Sequence, residues 1–563
     1  MWSSLLSLII ASVPALASSD DGLGWHFVQN GTSGIIALEA TVLSPTLMLL
    51  FDRPLGDPLK INGHDAWGGL WNLETNSVTA LDVKSNSFCA SGGFLSNGTM
   101  VSIGGNGVEL PPNQTIPTEG DGLMAIRIWE PCDDPTGLSC SLIEDDKTLH
   151  LAKRRWYTTA VRIFDGSLMI VGGMHNQSIF WNFPELTENS IEFFPSKDGG
   201  EPRPSDFLAR TLPVNLFPRV FALPDGKTFI VANNQSMIYD IEANTETPLP
   251  DLPNGVRVTN PFDGSATLLP LSPPDFVPEV LVCGGTNTSD QLDFTKFSSQ
   301  TPATDQCSRI KLTPEGIEKG WEVELMPEGH IMPEILLLPN GQAMIMNGGQ
   351  SGYSAYGNVV DPVSNSNADH PNFTPMLYNP DAPVGMRFTR EGLPATDIAR
   401  LYHSTVSLTP NGNIFIAGSN PHAGQVTDGE FPSEYRVEYL NPPYMTVSRP
   451  SMTNIPQRVD FNQRFSVDVN IPDNLNASSI QVALMDLGFS THSFHSSSRL
   501  VFMEAELSDD KSSLEILTPP NNRVYPPGPA WIFLTVDDIS SIGSQVMVGS
   551  GAAPPVADQG VPL

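Results

Sequence analysis

Six stretches of the chain share one pattern: an apolar strand, a turn ending near glycine, a second apolar strand, then paired glycines or other small residues. They are GGFLSNGTMVSIGGN (92–106), TAVRIFDGSLMIVGGM (159–174), RVFALPDGKTFIVANN (219–234), the degenerate TLLPLSPPDFVPEVLVCGGT (267–286), EILLLPNGQAMIMNGGQ (334–350) and STVSLTPNGNIFIAGSN (404–420). The Asn-Gly and Asp-Gly pairs supply the positive φ angles of a two-residue turn, so each copy is predicted to be a β-hairpin. A hairpin that recurs at a near-regular interval cannot bury both its faces alone. It must stack radially on its neighbours.

The interval is on average longer than the roughly 50 residues of a simple kelch repeat, which leaves room for a second hairpin in each blade. A seventh blade is predicted from the N-terminal region, where GGLWNLETNSVTAL (68–81) reads as strand, turn and strand. The expected fold is all-β, a seven-bladed kelch-type β-propeller over residues 18–440 with a functional site at the mouth of its channel. Beyond 440 the paired glycines stop. Short strands at 464–471, 479–488, 499–507, 513–520, 530–538 and 544–551 have the cadence of an immunoglobulin-like β-sandwich, assigned to 441–563.

A formal net charge of −33 excludes nucleic acid and anionic membranes as partners. Residues 1–17, MWSSLLSLIIASVPALA, read as a signal peptide closing on Ala15-Leu16-Ala17, and no later run is long enough to span a bilayer. Eight Asn-x-Ser/Thr sequons, at Asn30, Asn97, Asn113, Asn176, Asn234, Asn287, Asn372 and Asn476, fit a secreted, extracellular glycoprotein. In an oxidising compartment the five cysteines read as disulfides Cys132–Cys140 and Cys283–Cys307, with Cys89 left over.

Candidate ligands stand out in two places. Tyr402-His403 opens the last propeller hairpin, and His492 and His495 lie in FSTHSFHSSS, read as a polar loop between two sandwich strands. Taken alone, Tyr-His at a strand start reads as packing plus a hydrogen bond. Adjacent residues of a regular strand also face opposite ways, so joint ligation by Tyr402 and His403 predicts a bulge or a strand start there.

SFCASGGFLSNG around Cys89, RRWYTTAVRIFDGSLMIVGG around Tyr157, RLYHSTVSL around Tyr402 and GFSTHSFHSSSRLVFM around His492 together resemble the copper radical oxidases. The resemblance is closer to fungal glyoxal oxidases than to galactose oxidase, and it covers nearly the whole chain after residue 17. It implies one Cu(2+) per chain held by Tyr157, Tyr402, His403 and His492. Tyr157 would be joined to Cys89 by a thioether and carry a tyrosyl radical, with Tyr402 as the base. His495 is the lesser ligand candidate of its pair. Met174-His175 stands where galactose oxidase has a tryptophan over the crosslinked ring, and that enzyme's separate carbohydrate-binding domain has no counterpart, both of which favour small aldehydes over a hexose.

The resemblance therefore implies a secreted monomer that oxidises small aldehydes such as glyoxal and methylglyoxal to carboxylic acids and reduces O2 to H2O2, which extracellular peroxidases would consume. Two alternatives stay open: a primary-alcohol or galactose oxidase with the same chemistry, and a non-catalytic kelch-type binding protein or lectin. Neither a G-x-S-x-G elbow nor an H-E-x-x-H zinc motif is present, which argues against a hydrolase.

Overall fold

The computed structural model describes residues 24–53, 56–107, 120–175 and 180–555. The predicted signal peptide and the sequons at Asn113 and Asn176 lie outside the described residues. Seven antiparallel blades surround an axis, and their innermost strands are Glu39–Val42, Ser91–Phe94, Thr159–Arg162, Arg219–Ala222, Gly264–Leu268, Glu334–Leu337 and Ser404–Leu408. Each is almost wholly buried, as expected for a strand covered on both faces.

The six sequence repeats are the two inner strands of blades 2 to 7. The stretch at 68–81 is the outer hairpin of blade 1 (Gly68–Asn72 and Ser77–Leu81), whose inner pair is Glu39–Val42 with Leu47–Phe51. Blade 7 is completed from the other end of the chain. His26–Thr32 pairs antiparallel with Arg436–Asn441, placing His26 opposite Asn441 and closing the ring with hydrogen bonds rather than packing alone.

The turns differ from the expected two-residue type. In the last repeat Thr409 N–H donates to Asn413 O and Gly412 N–H to Thr409 O, enclosing three residues, and only Gly412 (φ 86°) is left-handed. The same pair of bonds recurs at Leu95, Ile163, Leu223 and Leu338. This is a type I turn followed by a left-handed glycine. Pro224, Pro339 and Pro410 stand first in three of these loops, and a φ locked near −65° suits that turn and forbids the positive φ a two-residue turn needs there.

The predicted sandwich strands appear as Arg464–Asn470, Ile480–Asp486, Arg499–Leu507, Ser513–Leu517, Gly528–Val536 and Ser544–Val548. Arg499–Leu507 joins the two sheets: its first half pairs with Ile480–Asp486 and its second with Ser513–Leu517. Between Ile480–Asp486 and Arg499–Leu507 the expectation of a polar loop fails. FSTHSFHSSS is a hairpin, Phe489–Thr491 with Phe494–Ser496, that adds to the inner edge of blade 1 with Thr491 opposite Glu39. It runs down the propeller axis and touches the innermost strand of every blade.

Its polar residues are buried because the propeller satisfies them. Ser265 Oγ donates to Ser493 O (2.6 Å), Thr41 Oγ1 to Gly488 O (3.0 Å), and Ser496 Oγ to Ala160 O. Arg219 donates to His492 O (3.1 Å) while its Nη2 pairs with Asp263 (2.9 Å). His495 Nε2 meets Glu334 Oε2 at 3.0 Å.

Candidate metal centre

At one end of the axis the turns before the inner strands of four blades share a left-handed residue. Cys89, Tyr157, Phe217 and Met332 stand at the same place in blades 2, 3, 4 and 6, two residues before the inner strand, and all four have left-handed backbones, φ 56°, 61°, 48° and 58°. Each left-handed side-chain-bearing residue costs about 1–2 kcal/mol locally, a strain held by the surrounding structure. Backbone bonds link these turns around the axis, Tyr157 N–H to Cys89 O (3.2 Å) and Phe217 N–H to Tyr157 O (3.0 Å).

The paired glycines explain how the turns fit. A Cβ on Gly104 would lie 2.3 Å from the Arg155 carbonyl oxygen, and one on Gly105 would lie 2.1 Å from that of Asn86. Only glycine admits such an approach, and the two carbonyls belong to the segments that lead into Tyr157 and Cys89.

Tyr402 and His403 lie just before Ser404–Leu408, in a turn closed by Ser404 N–H to Leu401 O (3.2 Å), with His403 at φ 67°. The expected strand start is present. It turns the two adjacent rings to the same side, their centroids 3.8 Å apart. His492 and Ser493 are the two turn residues of the axial hairpin, at φ 47° and 61°.

Ligand atoms of Cys89, His403 and His492 lie within 4.8 Å of one another, all buried. Tyr157 and Tyr402 meet hydroxyl to hydroxyl at 2.6 Å, and His492 packs against both rings at 5.2 and 5.4 Å. Cys89 is the cysteine outside the two expected disulfides, which are both formed, and it shares a buried cluster with Tyr157. His495 is turned to Glu334 instead, and His175 is half-buried, its N–H bonded to Leu186 O. The rings against Tyr157 are those of Trp156 (4.6 Å), Phe217 (5.1 Å) and His492.

The imidazoles are prepared for a metal. His403 Nδ1 lies 3.0 Å from Asn420 O and His492 Nδ1 2.7 Å from Thr491 Oγ1, so the carbonyl fixes the first tautomer and the hydroxyl orients the second ring. Both Nε2 atoms are buried without a hydrogen-bond partner. A buried orphan acceptor is costly unless something occupies it, and two facing each other beside two phenols form a nitrogen and oxygen donor set that suits Cu(II). Burial holds both histidines well below the usual imidazole range, with His492 and Arg53 adding to the effect at His403 and Arg219 at His492. Burial pushes both phenols well above theirs. The protein thus offers neutral imidazoles but no charge of its own to ionise the phenols.

Phe88, Phe217, Arg53 and Tyr356 border the site without having been read from the sequence. Phe217 stacks on His492 at 4.4 Å, and Phe88 meets His403 edge-on at 5.5 Å under the Arg53 guanidinium (4.6 Å). The signal for Phe217 lay in the repeat, since it occupies in blade 4 the place of Tyr157 in blade 3. Arg53 and Tyr356 belong to no repeat position and carried no such signal.

A propeller whose axis is filled from the following sandwich, with this donor set at its end, is the architecture of the copper radical oxidases, and comparison narrows the class. The glyoxal oxidase N-terminus family matches residues 62–444, and the galactose oxidase-like early set domain matches 449–548. The chain belongs to the glyoxal oxidase family and is an oxidoreductase of glyoxal oxidase type. It is 32% identical over 533 residues to aldehyde oxidase GLOX of Vitis pseudoreticulata, covering 91% of this chain and 92% of that protein. It is 30% identical over 508 residues to aldehyde oxidase GLOX1 of Arabidopsis thaliana, covering 87% and 76%. Among solved structures, a fungal alcohol oxidase of the AA5 family in complex with copper superposes with a TM-score of 0.70, over 94% of this chain and 100% of that one. At 14% identity this is a likeness of fold.

Proposed function

We propose that the protein is a secreted oxidase that converts small aldehydes such as glyoxal and methylglyoxal, reacting as hydrates, to carboxylic acids while reducing O2 to H2O2. The observation that carries the reading is the pair of orphaned Nε2 atoms beside the Tyr157–Tyr402 hydroxyl pair. Tyr157, Tyr402, His403 and His492 hold the metal, and Cys89 is bonded through sulfur to the Tyr157 ring. That bond forms at the expense of the thiol hydrogen and one ring hydrogen, with O2 as the oxidant. The catalytic unit spans both domains, 18–440 and 441–563, since His492 comes from the second.

Copper(II) held here would supply the charge that ionises the buried phenols and, with a radical on crosslinked Tyr157, the two oxidising equivalents that take RCH(OH)2 to RCOOH; O2 would accept the two electrons and two protons released and leave as H2O2. The chain does the rest. Tyr402 receives the substrate hydroxyl proton, and Tyr157 receives the hydrogen from carbon. Trp156, Phe217 and Phe88 wall the radical from water. The Asn420 carbonyl and the Thr491 hydroxyl hold the two imidazoles in orientation.

The named activity of the plant relatives supports aldehydes over primary alcohols. The two disulfides and the 1–17 segment support secretion, and no described helix is long and apolar enough to cross a membrane. Peroxide release by the copper-loaded protein on methylglyoxal, benzyl alcohol and galactose, with peptide mapping of Cys89 and Tyr157, tests the reading. Faster turnover of methylglyoxal and a single crosslinked peptide pair are expected. Preference for an alcohol overturns the substrate, and separate linear peptides overturn the crosslink. A protein that takes up no copper is left with the kelch-type binding role.

A further inference from the structure

Tyr356 brings to the site a phenol that has no part in the chemistry above. It ends the strand Gly349–Tyr356, which with Ser366–Pro371 forms a separate hairpin inserted between the second and third strands of blade 6. The register slips between Gly352 and Tyr356, and Ala355 is left-handed (φ 69°). A bulge of this kind redirects a side chain from the face it would otherwise take. The Tyr356 ring consequently lies 6.3 Å from that of Tyr402 and 6.4 Å from that of His403.

Two further observations set Tyr356 apart. Tyr402 and His403 are each 2% exposed, whereas Tyr356 beside them is half-buried and so reaches solvent. Its hydroxyl accepts an N–H from Arg53 at 2.9 Å, and the buried Arg53 is held in turn by the His422 carbonyl and the face of Phe88. Among the described residues no group accepts the Tyr356 proton. The cation takes a lone pair of the phenol oxygen and leaves its O–H to donate.

We propose that Tyr356 is a specificity-determining residue that donates to the oxygen by which a hydrated aldehyde differs from a primary alcohol. The inference rests on the aldehyde reading above. A geminal diol carries two oxygens on the reacting carbon. One yields its proton to Tyr402, and the other accepts from Tyr356. A primary alcohol presents a hydrogen at that second position and leaves the donor unmatched, a form of discrimination stronger than any apolar pocket provides for groups of similar size.

The test is Tyr356→Phe, which removes one oxygen from the copper-loaded enzyme. Initial rates on methylglyoxal and on benzyl alcohol are measured together with copper content. The ratio of kcat/KM for aldehyde over alcohol is expected to fall about tenfold, with copper content as in the wild type. An unchanged ratio, whether both rates fall together or neither does, overturns the proposal. Loss of copper from the variant also overturns it, because the phenol would then belong to the cage that holds the metal. Wild-type protein that releases peroxide from alcohols alone overturns the aldehyde reading itself, and this is seen before any variant is made.

Discussion

The backbone N–H of Tyr157 donates to the carbonyl of Cys89 at 3.2 Å, so the residues proposed to be crosslinked are tied first through their main chains. Both backbones are left-handed, and both turns are braced by Gly104 and Gly105. The geometry that sets Cys89 and Tyr157 side by side in one buried cluster is therefore a property of the folded propeller.

Cys89→Ala should leave this backbone arrangement intact. Peroxide production is expected to fall about a hundredfold or more, while copper content stays near one ion per chain. Metal analysis beside the peroxide assay checks this. Full activity without Cys89 would remove the thioether from the mechanism.

His492→Ala deletes one of the two orphaned Nε2 atoms and should abolish stoichiometric copper binding. In the wild type, copper at a hundredfold excess over its Kd should stabilise the fold by about 2.7 kcal/mol, read as a rise in the thermal midpoint that a chelator reverses. The variant should show no such rise. A variant that still gains stability from copper would place the metal elsewhere.

How much of this could be read from residues alone varied with the kind of interaction. The hairpins were legible because a glycine turn between two apolar runs is a local pattern, and the sandwich strands because alternating burial is another, seen in Val467 and Val469 buried between exposed neighbours. The axial hairpin was not, because Ser490, Thr491, His492 and His495 are polar, and what buries them is the backbone of blades hundreds of residues away. Ring closure by His26–Thr32 likewise depends on a partner strand at the far end of the propeller. Tyr402-His403 stood out as a pair, yet the left-handed turn that lets both face one point is a property of φ rather than of residue type.

Glu39 gives a pH signature. Burial pushes its carboxyl up to about 8, with Arg127 and the Ala90 N–H opposing, from an ordinary value of 4.5. Between these values the folded state holds a proton that the unfolded state has lost, so its contribution is full below pH 4.5 and disappears as pH rises through 8. Glu39→Gln is expected to resist denaturation at pH 9 better than the wild type by a few kcal/mol at most. Comparing urea midpoints at pH 6 and pH 9 checks this, and equal midpoint differences at the two values would refute it.

Arg219 and Asp263 are both buried, and Arg219 also carries the His492 carbonyl. Arg219→Ala leaves a buried carboxylate without its cation and should cost about 3–5 kcal/mol. It should also weaken copper binding, since the hairpin loses its tether. Arg219→Ala combined with Asp263→Asn should recover much of the stability but little of the metal affinity. Recovery of both would show that the arginine serves the fold alone.

The ring is sealed by its first strand against its seventh blade, and the plug that carries His492 is made later still. During synthesis, therefore, no fragment that ends before residue 492 has the whole candidate ligand set. The crosslink proposed for Cys89 and Tyr157 would then wait on the second domain, and the order of translation would guard against peroxide forming on an unfinished chain.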